Sequence, residues 1–468
     1  MSAVGFRGDD CFHSCMRIGN GRNTMVSTIE QRYYDLHTGS AERWATARDI
    51  FPDGVTHDGR RMSPFPLYGT HGQGGVKWDV DGNRIIDFWT GHGSMMLGHA
   101  HPEIVRVVQE QVAIGTHLSM SSDLEIRWAQ LVQQLIPSAE KVRFHSSGTE
   151  ATMMAIRMAR AYTGKTKVIK FEEHFHGWSD YLAAGGAGLG GIPQETLSTM
   201  IVLPPNDIGA VEEALQRSDD IAAIILEPTG AHMGLEPISP TFLQQLRDIT
   251  EQNGVVLIFD EVVTGFRVAK GGAQSLYGVT PDMTTMAKIL GGGLPGGAVA
   301  GKADIINMIE GGNDPSRRVA HNGTFNANPL SAVAGIRALE LVQTGDVNDR
   351  AAAMGERLKA GINETLTKLE IPGCATGINS LIFLRLNVDE DAADPDKNPN
   401  AARDMRNSDD AKLQEQLGLA MLNYGVHAGN AHGGARFILS AAHTEQDIDE
   451  SVGSIGNALS DAREQGLV

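Results

Sequence analysis

The chain has 468 residues, a formal net charge of -18 and 41% hydrophobic residues, and these values exclude several classes of protein. Its acidity disfavours binding to nucleic acids, because it would repel their phosphates. It has no apolar run long enough to cross a bilayer, and residues 1–28 lack the apolar core of a secretory signal. We therefore expect a globular, cytoplasmic protein with two or three structural units and no membrane or nucleic-acid partner.

The 3 cysteines are too few for a disulfide framework. Cys11, His13 and Cys15 lie close together near the N-terminus. Their spacing is tighter than that of the usual zinc ligands, and no second ligand pair accompanies them. We expect no metal site here and interpret residues 1–28 as a disordered tail.

The first predicted elements form an N-terminal segment over residues 29–90. Residues 29–55 have an amphipathic, helical pattern that ends at Pro52-Asp53-Gly54. In residues 75–88, apolar and polar side chains alternate on the first side of the turn signal Asp81-Gly82, and a second short run follows it, which predicts a β-hairpin. Helices are predicted over residues 102–115 and 125–135. We expect the N-terminal segment to join a smaller, C-terminal domain.

A large domain is predicted over residues 91–340, because short apolar runs alternate with helical stretches there. The runs Val168–Phe171, Ala222–Leu226 and Val255–Phe259 each end in a charged or polar segment. The spacing between the last two, measured at Glu227 and Asp260, is 33 residues, which is typical of strand–helix–strand crossovers in a parallel sheet. Ligands in such sheets bind at the carboxyl ends of the strands.

The rest of the chain predicts a smaller C-terminal domain over residues 341–468. Residues 333–341 begin a long helix that leaves the large domain, and helices and strands then mix. Residues 389–410 are rich in Asp, Asn, Pro and Ala, which predicts an exposed insertion. The fold class is therefore α/β.

Asp260 is the first candidate for chemistry, because it follows five apolar residues that predict a buried strand. An acidic strand end that faces water or caps a helix is the ordinary alternative. A buried carboxylate needs a cationic partner. The protonated nitrogen of a pyridine ring is such a partner, and the pair keeps the ring an effective electron sink.

Lys288 is the second candidate, since it ends the apolar stretch from Met283 and precedes Gly291-Gly292-Gly293. Most lysines lie exposed on helices, whereas a lysine in an apolar site loses its proton more easily and becomes a nucleophile for an aldehyde. The glycines let the backbone pass close to a bulky cofactor. The pairing with Asp260, 28 residues earlier, makes this signal strong.

Two further motifs are weaker on their own. Ser146-Ser147-Gly148-Thr149-Glu150 opens an amphipathic helix, whose free amides and dipole favour a phosphate, although Ser and Thr are also ordinary helix caps. Phe175-His176-Gly177-Trp178 offers an aromatic ring that could stack on a planar cofactor, although core aromatics are commoner.

Together these motifs resemble the class III aminotransferases, which are pyridoxal-phosphate enzymes of fold type I. Within that family the chain is most similar to the glutamate-1-semialdehyde aminomutase branch, which also holds aminotransferases for β-amino acids and D-arylglycines. The matching stretches follow the family order and cover most of residues 51–335: FPDGVTHDGR (51–60), SSGTEATMMAIRMARAYTG (146–164), KFEEHFHGW (170–178), LIFDEVVTGFR (257–267), YGVTPDMTTMAKILGGGLPGG (277–297) and GTFNANPL (323–330).

The resemblance implies a large domain with a mostly parallel central sheet flanked by helices, a smaller α+β domain, and bound pyridoxal 5'-phosphate. It implies that Lys288 carries the cofactor as an imine and shuttles protons, while Asp260 binds the pyridinium nitrogen. Arg60 matches the arginine that binds a substrate carboxylate, with a solvated surface residue as the alternative. The remaining cofactor-binding residues that it implies are Ser147, Gly148, Thr149, Phe175, His176, Glu227, Val262 and Thr324.

Thr324 is expected to reach the phosphate of a neighbouring subunit, so a homodimer with shared active sites follows from the resemblance. The chain departs from the aminomutase pattern at two positions. Arg436 stands where the aminomutases have an acidic stretch, and Trp178 stands where they have a second histidine. Both changes argue against tetrapyrrole synthesis, and Arg436 offers a second cation for a substrate carboxylate.

The sequence therefore predicts an aminotransferase that moves an amino group from an amino acid to a keto acid or aldehyde by a ping-pong mechanism. An intramolecular aminomutase acting on glutamate semialdehyde, without an external acceptor, is the alternative. A catalytically silent protein of the same fold is disfavoured, because Lys288 and Asp260 are both present. A nicotinamide-binding enzyme is also disfavoured, since the glycine-rich stretch Gly188–Gly191 does not join a clear strand to a helix.

Overall fold

A computed structural model describes residues 27–388, 394–398, 411–431 and 434–468. Almost all of the predicted tail, with Cys11, His13 and Cys15, lies outside the described residues, as does most of the predicted insertion at residues 389–410. Residues 27 and 28 already belong to the folded chain, because Ser27 caps the first helix by accepting a hydrogen bond from the Glu30 amide at 3.1 Å.

Helices pack around three sheets. No described helix is both long and apolar enough to cross a membrane. Short 3-10 turns lie at Pro52–Gly54, Asp58–Arg60, Lys288–Gly291, Asn307–Ile309 and Pro315–Arg317. Two short helical segments, Thr90–Gly93 and Ala231–Gly234, contain left-handed residues. The other described α-helices are Thr28–Leu36, Thr38–Arg48, Pro102–Val112, Asp123–Leu135, Gly148–Thr163, Gln194–Leu197, Ile208–Arg217, Pro240–Asn253, Gly272–Tyr277, Ala303–Ile306, Pro329–Thr344, Asp346–Lys368, Ala411–Asn423 and Glu445–Glu464.

The central sheet has seven strands, and it is the mostly parallel sheet that the sequence predicts. Only Gly297–Gly301 runs against its two neighbours. The three apolar runs identified in the sequence are adjacent and parallel, as predicted. In spatial order the strands are Lys141–His145, Gly297–Gly301, Met283–Ala287, Val256–Asp260, Ile221–Leu226, Lys167–Phe171 and Met200–Leu203.

This strand order brings the candidate chemistry together. Strand Val256–Asp260 lies between Ile221–Leu226 and Met283–Ala287, and it is parallel to both. Glu227, Asp260 and Lys288 therefore leave three neighbouring strands at the same edge of the sheet. All five residues of Val256–Asp260 are buried, which explains why its sequence is continuously apolar up to the carboxylate.

Two four-stranded sheets lie outside the central sheet. The predicted hairpin forms one of them, with Val76–Asp79 antiparallel to Arg84–Asp87. The same sheet also contains strands Gly69–Gln73 and Val426–His427. The other four-stranded sheet comprises Gly373–Ile378, Leu381–Leu386, Gly434–Ile438 and Gly429–Ala431.

A single hydrophobic cluster joins the N-terminal segment to the C-terminal part of the chain. Ile29, Tyr33 and Phe88 pack in the same cluster as Leu358 and Phe437. The predicted division of the chain into domains stays a prediction. Its boundary at residues 340 and 341 falls inside helix Pro329–Thr344.

The helical pattern predicted over residues 29–55 folds as two helices, Thr28–Leu36 and Thr38–Arg48, and a 3-10 turn, Pro52–Gly54. The two helices are separated at His37, whose ring forms a hydrogen bond with Asp79 Oδ2 at 2.8 Å. His37, Asp79 and Asp81 have ligand-type atoms within 4.8 Å of one another. Their carboxylates accept backbone amides, however: Asp79 Oδ1 from Asn83 at 2.8 Å, and Asp81 Oδ1 from Gly39 at 2.7 Å. We interpret the group as a clamp between the hairpin and the second helix.

Gly335 allows helix Pro329–Thr344 to pack against the 3-10 turn that begins at Lys288. A methyl group at Gly335 would overlap the carbonyl oxygen of Leu290 and come within 2.6 Å of Trp128 Nε1. Those two atoms already form a hydrogen bond of 3.1 Å. The close approach therefore fixes the turn that carries Lys288.

We predict that Gly335→Ala lowers the free energy of unfolding by about 1–3 kcal/mol, because the added methyl group overpacks this contact. The midpoint of urea unfolding measures the effect. Gly453→Ala is the matched control, since a methyl group there meets no atom within 4 Å, and it should stabilise its helix by about 0.5–1 kcal/mol. Equal midpoint shifts in the two variants would contradict this packing.

Candidate active site

Lys288 and Asp260 lie at the ends of two adjacent strands, at the same edge of the central sheet. Lys288 follows a fully buried strand and has a φ of +51°, a left-handed conformation that is rare outside glycine. Residues held in such conformations concentrate at functional sites. Thr285, three residues before Lys288, pairs with Asp260 in the sheet and donates a hydrogen bond to Asp260 Oδ1 at 3.3 Å.

Asp260 is a buried carboxylate that forms no ion pair with a lysine or arginine among the described residues. It is 5% exposed, and Oδ1 also accepts the Val262 amide at 3.1 Å. Its one ion pair within the described residues is to His176 Nδ1, at 2.7 Å from Oδ2. A buried carboxylate is costly without a positive partner, so this environment fits the protonated ring nitrogen of pyridoxal phosphate. His176 is itself buried and fixes the carboxylate in place.

Burial lowers the pKa of Lys288 to about 8, although the nearby carboxylates of Asp260 and Glu227 act to raise it. The guanidinium groups of Arg267 and Arg436 also lower it. An amine with this pKa is partly unprotonated near neutral pH and can react with an aldehyde.

The helix Gly148–Thr163 begins directly beside this pair. A methyl group at Gly148 would lie 3.0 Å from Val262 Cγ2 and 3.4 Å from Ala287 Cβ, the residue before Lys288. Ser147 caps the helix, since its Oγ accepts the Glu150 amide at 3.2 Å. The ordinary capping role considered for Ser147 is therefore present. The amides of Gly148 and Thr149 precede the first intrahelical bonds and suit an anion.

Glu227 connects the site to the loop that follows strand Lys167–Phe171. Its carboxylate is buried and accepts the amide of Phe175 at 2.9 Å and that of Met233 at 3.1 Å. Glu227 therefore positions the Phe175 backbone, while the Phe175 ring is 63% exposed at the edge of the site. His176, the next residue, turns inward to Asp260.

Arg436 enters the site from the sheet of the C-terminal part, on strand Gly434–Ile438. Its guanidinium carbon lies 4.7 Å from the centre of the Trp89 ring. Its buried Nε has no hydrogen-bond partner among the described residues. Burial lowers its pKa to about 10, and Glu227 acts in the opposite direction. Arg436 therefore stays charged at neutral pH and has a donor available for an anion.

Arg60 and Thr324 are both exposed in the single chain. Arg60 ends the 3-10 turn Asp58–Arg60 and donates from Nη1 to Thr56 Oγ1 at 3.0 Å. Its charge lowers the pKa of His92, as does Lys288, so it belongs to the electrostatic surroundings of the site. The Thr324 carbonyl accepts a hydrogen bond from His117 Nε2, next to the exposed Phe325.

Several residues of the site escaped the sequence analysis. Arg267 is 1% exposed and donates to the carbonyls of Gly93 at 2.6 Å and Leu439 at 2.9 Å. Arginine is rarely buried, and nothing local in the stretch around Arg267 indicates that it is. Trp89 and His92 also line the site. Glycines on both sides of His92 are the one sequence signal that marks an unusual turn.

The sequence profile described as "Aminotransferase class-III" matches residues 58–459. The chain belongs to the class III aminotransferases. Glutamate-1-semialdehyde 2,1-aminomutase 2 of Brevibacillus brevis is 37% identical over 436 residues, which cover 90% of this chain and 98% of that protein. This class III aminotransferase is therefore similar to a curated relative over nearly the whole length of both.

Solved structures agree with the family. An omega-transaminase from Sphaerobacter thermophilus has a TM-score of 0.83 and 35% identity, covering 91% of this chain and 98% of the other. A transaminase with PLP bound has a TM-score of 0.81 and 31% identity, and the match covers 92% of this chain and 99% of the other. A β-phenylalanine aminotransferase from Variovorax paradoxus has a TM-score of 0.79 and 30% identity, and the match covers 94% of this chain and 98% of the other.

The predicted fold class and cofactor are thereby confirmed. This class III aminotransferase has the fold type I architecture of pyridoxal-phosphate enzymes, and its cofactor is pyridoxal 5'-phosphate. The residues that the chain places around Lys288 fit that group, since a buried carboxylate, a depressed lysine pKa and a free helix start lie together.

We predict that Lys288 titrates near pH 8 in the protein freed of cofactor, because burial depresses its pKa. Competitive acetylation followed by mass spectrometry measures its reactivity against pH. Lys288 should reach full reactivity above pH 8, whereas exposed lysines should gain reactivity until about pH 10.4.

The Asp260→Asn variant tests the sign of the neighbouring charge. The Asp260 carboxylate raises the pKa of Lys288, so its removal should move the midpoint to lower pH. A midpoint near that of exposed lysines in the wild type, or an upward shift in the variant, would show that the environment of Lys288 is not the one described.

Proposed function

We propose that this class III enzyme is an aminotransferase that takes the amino group of a carboxylate-bearing donor and gives it to a keto acid or aldehyde. Arg436 is the observation that carries the proposal. It is a charged guanidinium in the surroundings of Lys288, with a buried Nε that lacks a partner among the described residues. Planar guanidinium groups bind carboxylates through two parallel hydrogen bonds.

Bound pyridoxal phosphate supplies the aldehyde carbon that takes up nitrogen and the ring that stores electrons. We propose that Lys288 holds the cofactor through Nζ and takes up or returns a proton at that same atom, as a pKa of about 8 allows. Asp260, fixed by His176, holds the ring nitrogen in its protonated form. Its charge is already in place before the reaction begins, so no reorganisation is needed.

The remaining proposed cofactor contacts follow from position. Ser147, Gly148 and Thr149 hold the phosphate at the start of their helix. Val262 lies against Gly148 and would pack on one face of the ring. Phe175, whose backbone is fixed by Glu227, would cover the other face. These contacts orient the cofactor so that the reacting carbon stays close to Lys288.

An intramolecular aminomutase acting on glutamate semialdehyde is the second candidate. The name of the Brevibacillus brevis relative favours it, and on that evidence alone it stands at least as well as the aminotransferase. The two differ in their need for an acceptor. An aminomutase converts glutamate semialdehyde to 5-aminolevulinate without any added keto acid, whereas an aminotransferase completes turnover only when an acceptor is present.

We also propose a homodimer in which Thr324 reaches the phosphate of the neighbouring subunit. Its surroundings expose large apolar side chains, with Met120 76% exposed and Phe325 59% exposed. Apolar surface of this kind marks a protein interface. Light scattering should give about twice the chain mass of 50.1 kDa, and a monomeric mass at micromolar concentration would exclude shared sites.

The role of Arg436 predicts a selective loss in Arg436→Gln. Removal of a charge-assisted carboxylate contact should lower kcat/KM for amino-acid donors by about 10- to 100-fold. The same variant should change kcat/KM much less for simple amines, which have no carboxylate. Steady-state kinetics with a fixed keto-acid acceptor measures both values.

Arg61→Gln provides a matched control. Arg61 is an exposed arginine adjacent to Arg60 and pairs with the surface residue Asp53. We expect no change in that variant. The Arg60→Gln variant measures the contribution of Arg60 to carboxylate binding separately from that of Arg436. An Arg436→Gln enzyme that lost activity equally on amino acids and simple amines would rule out carboxylate binding by Arg436.

A further inference from the structure

Residues Thr90–Gly93 form a left-handed turn at the mouth of the site. Their φ angles are +41°, +60°, +55° and +85°, and two of the four residues are not glycine. A left-handed run is unfavourable for L-residues and persists only where the surroundings impose it. The turn therefore holds His92 in an orientation that the local sequence alone would not choose.

Contacts with the rest of the site impose that conformation. Arg267 donates from Nη2 to the Gly93 carbonyl at 2.6 Å. A methyl group at Gly93 would lie 3.6 Å from Ile438 and 3.9 Å from Cδ of Lys288. The turn therefore packs directly on the side chain of the cofactor lysine, and the neighbouring His92 belongs to the same wall.

The hydrogen bond between Trp89 and His92 fixes the tautomer of the imidazole. Trp89 Nε1 lies 2.7 Å from His92 Nδ1. An indole nitrogen only donates, so Nδ1 must be the unprotonated acceptor. A neutral imidazole in this state has its proton on Nε2, which has no acceptor among the residues that the structure describes. The turn thus presents a neutral group that can only donate at its free end.

His92 lies between the two candidate arginines. On one side, Trp89 has the Arg436 guanidinium over its ring at 4.7 Å. On the other side, the His57 ring centre is 4.8 Å from that of His92. A methyl group at Gly59, in the turn that ends at Arg60, would be 3.6 Å from Cε1 of His92, the carbon between the two ring nitrogens. This edge of the imidazole therefore faces the turn that ends at Arg60, whose charge acts on the pKa of His92.

We propose that His92 is a specificity-determining residue, whose Nε2–H donates to the distal carboxylate of a dicarboxylic keto-acid acceptor on the Arg60 side of the cleft. The inference rests on the proposed aminotransferase function. In this arrangement Arg436 binds the carboxylate next to the reacting carbon, and His92 with Arg60 recognises the far one. Because Nε2 is fixed as a donor, it binds an oxygen and rejects an ammonium group.

The electrostatics of the wall are consistent with a neutral donor. Burial, together with the charges of His57, Arg60, Lys288 and Lys77, lowers the pKa of His92 to about 4. The imidazole is therefore uncharged at neutral pH, so it adds a directed hydrogen bond without adding another positive charge beside Lys288.

Two acceptors with the same five-carbon skeleton test this role. 2-Oxoglutarate has the distal carboxylate, and 2-oxopentanoate lacks it. The ratio of their kcat/KM values within one variant cancels any loss of folded enzyme. The wild type should favour 2-oxoglutarate. His92→Phe should lower this ratio about tenfold, as expected for one lost hydrogen bond, while His92→Gln, which keeps an N–H at similar reach, should retain most of it.

A second readout does not depend on turnover. In holoenzyme labelled with nitrogen-15 at histidine, His92 should show a proton on Nε2, and glutarate, a dicarboxylate that cannot react, should shift that signal. Trp89→Phe removes the donor to Nδ1, so the proton of the neutral His92 ring should then occupy either nitrogen. If the wild type transfers nitrogen to neither acceptor, the proposed function fails, and the glutarate response alone decides the role of His92.

Either of two results would overturn the proposal. The first is a ratio of the kcat/KM values for 2-oxoglutarate and 2-oxopentanoate that is near one in the wild type or unchanged in His92→Phe. The second is a proton on Nδ1, or no response of the Nε2 signal to glutarate.

Discussion

A carboxylate buried at the end of a parallel strand is the constraint on which this site depends. Asp260 is fixed by His176 and by the Val262 amide, yet its only ion pair within the described residues is with a histidine. Burying such a charge is costly unless a cation completes the pair. We propose the ring nitrogen of the cofactor as that cation. On this proposal, the cost of burying Asp260 becomes affinity for the protonated ring. Burial of Lys288 itself lowers the pKa of that lysine to about 8, although the charge of Asp260 acts to raise it.

The site lies where separate parts of the chain meet. Lys288 and Asp260 belong to the central sheet, whereas Arg436 belongs to the sheet of the C-terminal part. Arg267 joins these parts, since its guanidinium donates to the carbonyls of Gly93 and Leu439 and to Ser380 Oγ at 3.3 Å. A buried guanidinium with three different partners holds the turn at Gly93 against the segments that carry Ser380 and Leu439. Its removal would leave buried carbonyl groups without donors, so its role is positioning.

Local patterns in the sequence were sufficient to predict that Asp260 and Lys288 lie at the ends of buried, neighbouring strands. A continuous apolar run before Asp260, and another before Lys288 and its glycines, indicate buried strands that end in charged groups. The strand spacing predicts a parallel sheet, which places those ends together. Arg436 was identified as a departure from a familiar pattern, and the structure places it beside Trp89 in the surroundings of Lys288.

What the sequence did not predict depends on contacts between distant residues. The helix break at His37 follows from a bond to Asp79, 42 residues away, and no local signal encodes it. The orientation of His92 depends on Arg267, which lies more than a hundred residues later in the chain. Helical periodicity and motif spacing describe neighbours along the chain, so they are silent about such pairs.

The most direct test of the central claim is the visible absorbance of the purified holoenzyme as single amino acids are added without an acceptor. We expect a yellow protein whose absorbance band bleaches with some carboxylate-bearing donors and returns when a keto acid is added. The donors that bleach it would define the substrate class. A protein that stays colourless after addition of pyridoxal phosphate would contradict the assignment of Lys288 and Asp260.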